Sequence, residues 1–294
     1  LLAVAIVALC TGTAVADEPD ERWNETYGDS GAQEATAVAN APGGGYVTAG
    51  YTQTDQNGAN AQLIRTDADG CVQWKRNYGG DGRQVAFDVV RVADDYILAG
   101  QSVTADGTTD AWVARADTTG DLQWQRTYGS DADDMAVSVV SAGDGYAFAG
   151  WTNATGATDA WLVKVGGDGS LQWDQRYGGT AIQNGQALVR TDDGGFAIAG
   201  WTSASGGGDD ALLIRTDAAG DEQWRETYGG SDDDGAFRHG LIQTDDGGFV
   251  LTGWTTSYGD GLSDGWLVET DSTGTKEMDR TYGGDLNDVI TSVT

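Results

Sequence analysis

The chain has a single histidine, His239, in the stretch Phe237-Arg238-His239-Gly240. Nucleophilic catalysis would need it beside a hydroxyl or thiol and an orienting acid. No other repeat of the chain carries an equivalent histidine and no G-x-S-x-G elbow exists, so no catalytic role is assigned to it. Zinc needs several His or Cys ligands, and Cys10, Cys71 and His239 are all there are. No P-loop and no dinucleotide-binding strand–turn–helix is present. Two acidic clusters remain, Asp131, Asp133 and Asp134, and Asp232, Asp233 and Asp234. Calcium prefers roughly six to eight oxygens, often from Asp carboxylates, so these six residues are the candidate metal ligands. The D-x-D-x-D-G loop with its closing glutamate is absent, and plain surface charge explains the clusters as well. A glycosidase acid pair could be drawn from the same carboxylates, but nothing selects one. No other cofactor is implied.

These acids belong to a wider imbalance. The 294 residues hold 46 acidic and 16 basic side chains, a net charge of -30. Phosphate neutralisation requires a basic face, and none exists, so nucleic acid is excluded as a partner. Attraction to an anionic membrane is disfavoured for the same reason. Lysine occurs only at Lys75, Lys164 and Lys276. Uncompensated like charges repel unless salt screens them. The pattern reads as adaptation to high salt, with a merely acidic secreted protein, or one with calcium-neutralised loops, as the alternatives.

Leu1 to Leu9 is apolar and too short to span a bilayer. Ala14-Val15-Ala16 follows as an A-x-A pattern, so residues 1–16 read as part of a secretory signal peptide, and the mature chain as secreted or cell-surface. No membrane span is expected in the mature part. Lipidation at Cys10 would want a small residue where Leu9 stands. Cys71 then has no disulfide partner and is expected to be a small buried hydrophobe. Asn24 and Asn153 lie in glycosylation sequons.

The chemistry-bearing residues sit within a strict repeat. Tyr-Gly recurs at Tyr27, Tyr78, Tyr128, Tyr177, Tyr228 and Tyr282. Ala-Gly or Thr-Gly recurs at Gly50, Gly100, Gly150, Gly200 and Gly253. Tryptophan keeps the same phase at Trp23, Trp74, Trp124, Trp173 and Trp224, with Met278 in the last copy. The period is about 50 residues. Each unit holds four short β-branched or alternating runs bounded by Gly and Asp turns, which predicts antiparallel strands and no helix. Four strands per unit of this length predict an all-β β-propeller of four-stranded blades. Five complete repeats fall at about 33–78, 84–128, 134–177, 184–228 and 236–282. Residues 22–27 resemble a lone fourth strand and 287–294 a lone first strand. Together they predict a split or truncated sixth blade, with about 35 further residues needed to complete it. The repeated tryptophans are expected to wedge between blades. Asp67, Asp117, Asp217 and Asp271 open D-x-x-G turns whose backbone N–H groups the carboxylate can accept.

The unit W-x-x-x-Y-G-G … D-D-G-G-F-x-x-A-G-W-T … D-A-W-L-V-x-x-D-x-x-G-x-x-x-W resembles the propeller repeats of secreted prokaryotic surface proteins. Matching stretches are Asp192 to Thr202, Asp159 to Val163 and Asp217 to Trp224. The D-x-x-G-x-x-x-W portion is similar to quinoprotein-like (PQQ-type) blades, and the unit length to kelch-like blades. The resemblance covers the mature chain and implies architecture. It implies no quinone or calcium ligands, because none can be placed on this sequence.

The expected function is therefore a non-catalytic scaffold or recognition module, exported and salt-adapted, with an unspecified protein or glycan partner. The alternative is an extracellular carbohydrate-active or quinone-type enzyme with its site at the channel mouth. The fifth unit is longer than the others, a difference assigned to Ser257 to Gly261. Tyr258 and Asp260, with Trp254 and Trp266 near them in sequence, are the candidate contact residues. Oligomeric state is not legible.

Overall fold

Turns fix where each strand starts and stops. Asp67 Oδ1 accepts the backbone N–H of Asp69 and Cys71, and Asp117, Asp217 and Asp271 repeat the arrangement. The turn glycine that follows is left-handed each time, as at Gly120 with φ 81°, a conformation that favours glycine. The computed structural model describes residues 23–28, 31–54, 58–80, 82–104, 106–203 and 207–294. The expected leader at 1–16 lies outside them. Among the described residues no helix is long and apolar enough to cross a membrane.

Between the turns stand five four-stranded antiparallel sheets, each paired in chain order. The first comprises β1 (Gln33–Asn40), β2 (Tyr46–Thr54), β3 (Gly58–Thr66) and β4 (Val72–Tyr78). The second comprises β5 (Arg83–Val92), β6 (Asp95–Val103), β7 (Thr109–Asp117) and β8 (Leu122–Tyr128). The third comprises β9 (Asp134–Ala142), β10 (Gly145–Thr152), β11 (Asp159–Gly166) and β12 (Leu171–Tyr177). The fourth comprises β13 (Gln183–Arg190), β14 (Phe196–Ser203), β15 (Asp209–Thr216) and β16 (Glu222–Tyr228). The fifth comprises β17 (Asp234–Gln243), β18 (Phe249–Thr255), β19 (Asp264–Thr270) and β20 (Lys276–Tyr282).

The first strand of each sheet is the inner one. β1, β5, β9, β13 and β17 contact one another in that order, while the fourth strands are largely exposed. The fifth inner strand reaches back to the second, where the Arg238 guanidinium lies 5.0 Å over the Phe87 ring. The sheets are therefore propeller-like blades set about a common axis. Each central pair of strands is buried on both faces, as in β6 and β10, and the apolar residues form successive clusters between neighbouring blades.

One seam design recurs. The indole of one blade's fourth strand meets the first aromatic of the next blade's second strand. Trp74 and Tyr96, Trp124 and Tyr146, Trp173 and Phe196, and Trp224 and Phe249 have centroids 6.4, 6.3, 6.0 and 5.9 Å apart. The same indole lies against the next blade's turn glycine, so a methyl on Gly120 would stand 2.9 Å from Trp74. The Tyr-Gly phenol completes the seam. Tyr78, Tyr128, Tyr177 and Tyr228 donate to the carbonyls of Gly120, Gly169, Gly220 and Gly274 at 2.6–2.8 Å. The tryptophans are wedges, as their spacing predicts.

Burial pushes the phenols of Tyr78, Tyr177 and Tyr228 up, and that of Tyr128 up to about 12. An unfolded tyrosine ionises near 10. Below that pH both states keep the proton and the seam contributes fully. Above it the unfolded chain loses protons that the folded chain retains, so stability falls as pH rises from about 10 towards 12 and beyond. Urea midpoints measured across this range should drop, and Tyr128→Phe should flatten the drop.

Three expectations are corrected by the fold. Cys71 is exposed, because it takes the solvent-facing position after the turn glycine that Asp121 and Asp221 take elsewhere. The strands expected at 22–27 and 287–294 are not formed as ladders, and there are five complete sheets among the described residues. Trp23 and Tyr27 nonetheless make the seam contacts on the first blade, the indole 6.1 Å from Tyr46 and the phenol donating to Gly70 O at 2.6 Å. Residues 287–294 lie along the fifth blade, where Ile290 N donates to Gly253 O and Val293 N to His239 O. The third correction concerns the fifth unit's extra length. Four inner strands each bulge by one residue, namely Thr36, Phe87, Val137 and Gln186. In β17 four residues, Phe237 to Gly240, stand between paired Ala236 and Leu241, opposite a single unpaired Thr252. Two of the extra residues are therefore at the axis, not in the loop at 257–261.

Candidate functional site

The enlarged bulge delivers Arg238 and His239 towards the axis. His239 takes a left-handed φ of 60°, which is uncommon for a residue with a side chain. Gly240 follows where a methyl would stand 2.9 Å from Phe237 O. Opposite lies the one-residue bulge of β5, which turns Phe87 and Asp88 to the same place.

Asp88 is buried and held from two blades. Its Oδ1 accepts Val89 N at 2.7 Å, and its Oδ2 accepts Val139 N at 2.8 Å and Ser138 Oγ at 3.1 Å. His239 Nδ1 lies 3.8 Å from Asp88 Oδ1, and its Nε2 is buried without a hydrogen-bond partner. Burial pulls the Arg238 guanidinium below its ordinary range, while Glu34 and Asp88 pull it back up. Glu34, on β1, accepts the Tyr51 hydroxyl at 3.0 Å, and Arg83 lies 5.9 Å over the Tyr51 ring. That hydrogen bond and the nearby Glu34 charge push the Tyr51 phenol up.

Asp88 of the second blade and His239 of the fifth thus come together, with the Arg238 guanidinium over Phe87 beside them and the Glu34 charge of the first blade acting on it. Asp88 is fixed by three donors and serves as an anchor. Glu34 is exposed and accepts one hydroxyl. His239 carries an unused ring nitrogen. Two shallow clefts of about 200 and 330 Å³ lie elsewhere, beside Trp112 and beside Tyr228, and neither contains this cluster.

The sequence-based candidates fall differently. Asp133 Oδ1 accepts Thr109 N and Asp233 Oδ1 accepts Asp209 N, each at 2.9 Å. Asp134 accepts Ser130 N at 2.6 Å. Asp234 accepts Gly230 N at 2.8 Å and Ser257 Oγ at 2.7 Å. Asp131 and Asp232 are exposed. Within each triplet these acids are spread among backbone donors and do not converge, and no group of three or more His, Cys, Asp or Glu placed to hold a metal occurs among the described residues. Trp266 is 2% exposed, which removes it from the contact surface. Tyr258 stacks on it at 5.9 Å and donates to Gly229 O at 2.6 Å, Asp260 is exposed and Trp254 is half-buried. Sequence reasoning passed over Asp88 and Glu34 and set His239 aside. One signal was available: the Thr-Gly marker at Gly253 already arrives late, before the loop at 257–261 begins.

No family model matches the chain, and no curated protein matches it. The quinoprotein-like and kelch-like resemblance thus gains no family support. Among solved structures, a subtype N10 neuraminidase-like protein of A/little yellow-shouldered bat/Guatemala/060/2010 is similar at 6% identity and TM-score 0.47, covering 87% of this chain and 84% of that one. A thermostable family-43 glycoside hydrolase is similar at 9% identity and TM-score 0.48, covering 85% and 94%. A family-43 beta-xylosidase/alpha-arabinofuranosidase from a compost microbial metagenome is similar at 9% identity and TM-score 0.45, covering 87% and 96%. At these values the likeness is one of fold. The printed names, among them a glycoside hydrolase and a beta-xylosidase/alpha-arabinofuranosidase, stand against the expected non-catalytic scaffold and on the side of its carbohydrate-active alternative, while the likeness itself extends to the fold alone.

Proposed function

We propose that this chain is a carbohydrate-active propeller that works on neutral sugars where Glu34, Asp88, Arg238 and His239 meet at the axis. The observation that carries the reading is the enlarged bulge of β17, which holds His239 at a left-handed φ beside a carboxylate of another blade. Strain of that kind persists where the surrounding structure enforces it, and it clusters at working sites. Glycoside cleavage asks for one acid that gives a proton and a second carboxylate that stabilises the developing positive charge. Glu34 suits the first role and Asp88 the second. Arg238 and His239 supply donors for sugar hydroxyls. A net charge of -30 repels anionic substrates, which favours pentosides and hexosides over sialosides.

The same reading includes export, a salt-rich medium and a sixth blade built from both flanks. The seam contacts of Trp23 and Tyr27, and the backbone hydrogen bonds of Ile290 and Val293, support the last of these. The test is hydrolysis of aryl xylosides, arabinofuranosides and sialosides in molar salt. Turnover of a neutral glycoside is expected, reduced about a hundredfold or more in Glu34→Gln. No turnover of any neutral glycoside, or full turnover in Glu34→Gln, would overturn the reading.

A further inference from the structure

At each seam, a residue at or near the start of a blade's third strand faces one about 24 positions later, at or near the start of the next unit's first run. In the first seam the two are Asn60 and Gln84, both neutral. Gln84 is satisfied by protein groups alone, since its Oε1 accepts Gly80 N at 3.1 Å and its Nε2 donates to Ser102 Oγ at 2.9 Å. Two other seams, and the junction of the fifth blade with residues 287–294, carry two acids at the same place, namely Asp110 with Asp134, Asp210 with Asp234, and Asp264 with Asp288, while the seam after the third blade sets Asp159 against Gln183.

The last pair is the most telling. Asp264 is 3% exposed, and among the described residues its carboxylate accepts no hydrogen bond and meets no cation, whereas Asp288 Oδ2 accepts Gly284 N at 3.0 Å. A methyl on Gly283 would be crowded by Asp264 Oδ1 and by Asp288 Oδ2 together, and the two distances sum to 4.8 Å, which bounds the separation of those oxygens. The same construction on Gly229 bounds Asp210 Oδ1 and Asp234 Oδ2 at 4.9 Å. In the third acidic seam, Asp134 is fully buried and its Oδ1 has no partner. Burying a carboxylate without a donor or counter-charge is strongly unfavourable.

Two oxygens on one calcium ion, each about 2.3–2.6 Å from it, can lie no more than about 5 Å apart. We infer that the acid–acid seams are sites for a hard divalent cation of calcium's class, the best formed between Asp264 and Asp288. The two carboxylates supply the matching charge, and backbone carbonyls and water complete the shell. The ligand set differs from the acidic triplets, of which only Asp134 and Asp234 take part. The inference stands whether or not the axis handles sugar.

Terbium(III) is the probe, excited through tryptophan and displaced by calcium. Wild type should show sensitised emission that calcium competes away, and a higher Tm with calcium than with chelator at constant ionic strength. Asp264→Asn should lose part of the emission. The triple variant Asp110→Asn, Asp210→Asn, Asp264→Asn should lose it and melt identically with calcium and with chelator. If that variant fails to fold, calorimetry on wild type decides by stoichiometry, with three calcium ions expected. Absence of calcium-sensitive emission in wild type, or its full retention in Asp264→Asn, overturns the inference. So does a Tm that rises on acidification and ignores calcium, which would mean a shared proton.

Discussion

Gly150→Ala is expected to lower stability by about 3 kcal/mol, more than most core truncations of a single methylene. The added methyl would stand 2.9 Å from the Met135 carbonyl carbon and closer still to its oxygen. Both are backbone atoms of β9, so no side chain can rotate away. The cause is the bulge at Val137, which presses the inner strand against β10 where the register shifts. Gly50, Gly100, Gly200 and Gly253 face the same crowding from Glu34, Val85, Asn184 and Gly235. The recurrent Ala-Gly or Thr-Gly dipeptide is thus a steric requirement of the inner hairpin. Urea unfolding of Gly150→Ala beside Gly143→Ala isolates the effect. Gly143 has open space around a methyl but a left-handed φ of 68°, so its change should cost only about 1 kcal/mol. Equal losses at both positions would show that backbone conformation, not space, keeps glycine in the repeat.

This geometry shows why the frame was legible and the axial cluster was not. Period, turn and seam are local signals. Asp117 caps its own turn, and Trp124 precedes Tyr128 on one strand with both meeting the next blade. Such relations survive in the spacing of one repeat. The pairing of His239 with Asp88 does not, because it joins the fifth blade to the second across the axis. No repeat arithmetic brings those two residues together. The extra length of the fifth unit was visible, but a lengthened loop and a lengthened bulge leave the same trace in a residue count. Only the register of β17 against β18 separates them. The Asp264 and Asp288 pair was hidden for a similar reason, since its members stand 24 residues apart on either side of β20 and look like ordinary surface acid.

Asp88→Ala is expected to destabilise the protein by about 3–5 kcal/mol, since it leaves several buried donors unpaired at about 1–3 kcal/mol each. The carboxylate does two things that alanine cannot. It accepts Val89 N, Val139 N and Ser138 Oγ, so its loss leaves buried donors of two blades without an acceptor. It also offsets the half-buried Arg238 guanidinium, whose remaining negative neighbour would be Glu34. The two contributions separate in a double-mutant cycle. Arg238→Met removes the charge but keeps an apolar chain over Phe87, where the guanidinium now lies at 5.0 Å. Adding it to Asp88→Ala should recover the electrostatic share and leave the cost of the unpaired amides, about 1–3 kcal/mol each. Ser138→Ala, which removes one donor and leaves the carboxylate its two amides, should cost only about 1 kcal/mol. Chemical denaturation of the wild type and the four variants in molar salt is the measurement. A loss below about 1 kcal/mol in Asp88→Ala would mean that water reaches the axis freely, and the buried cluster on which the sugar site is built would not exist.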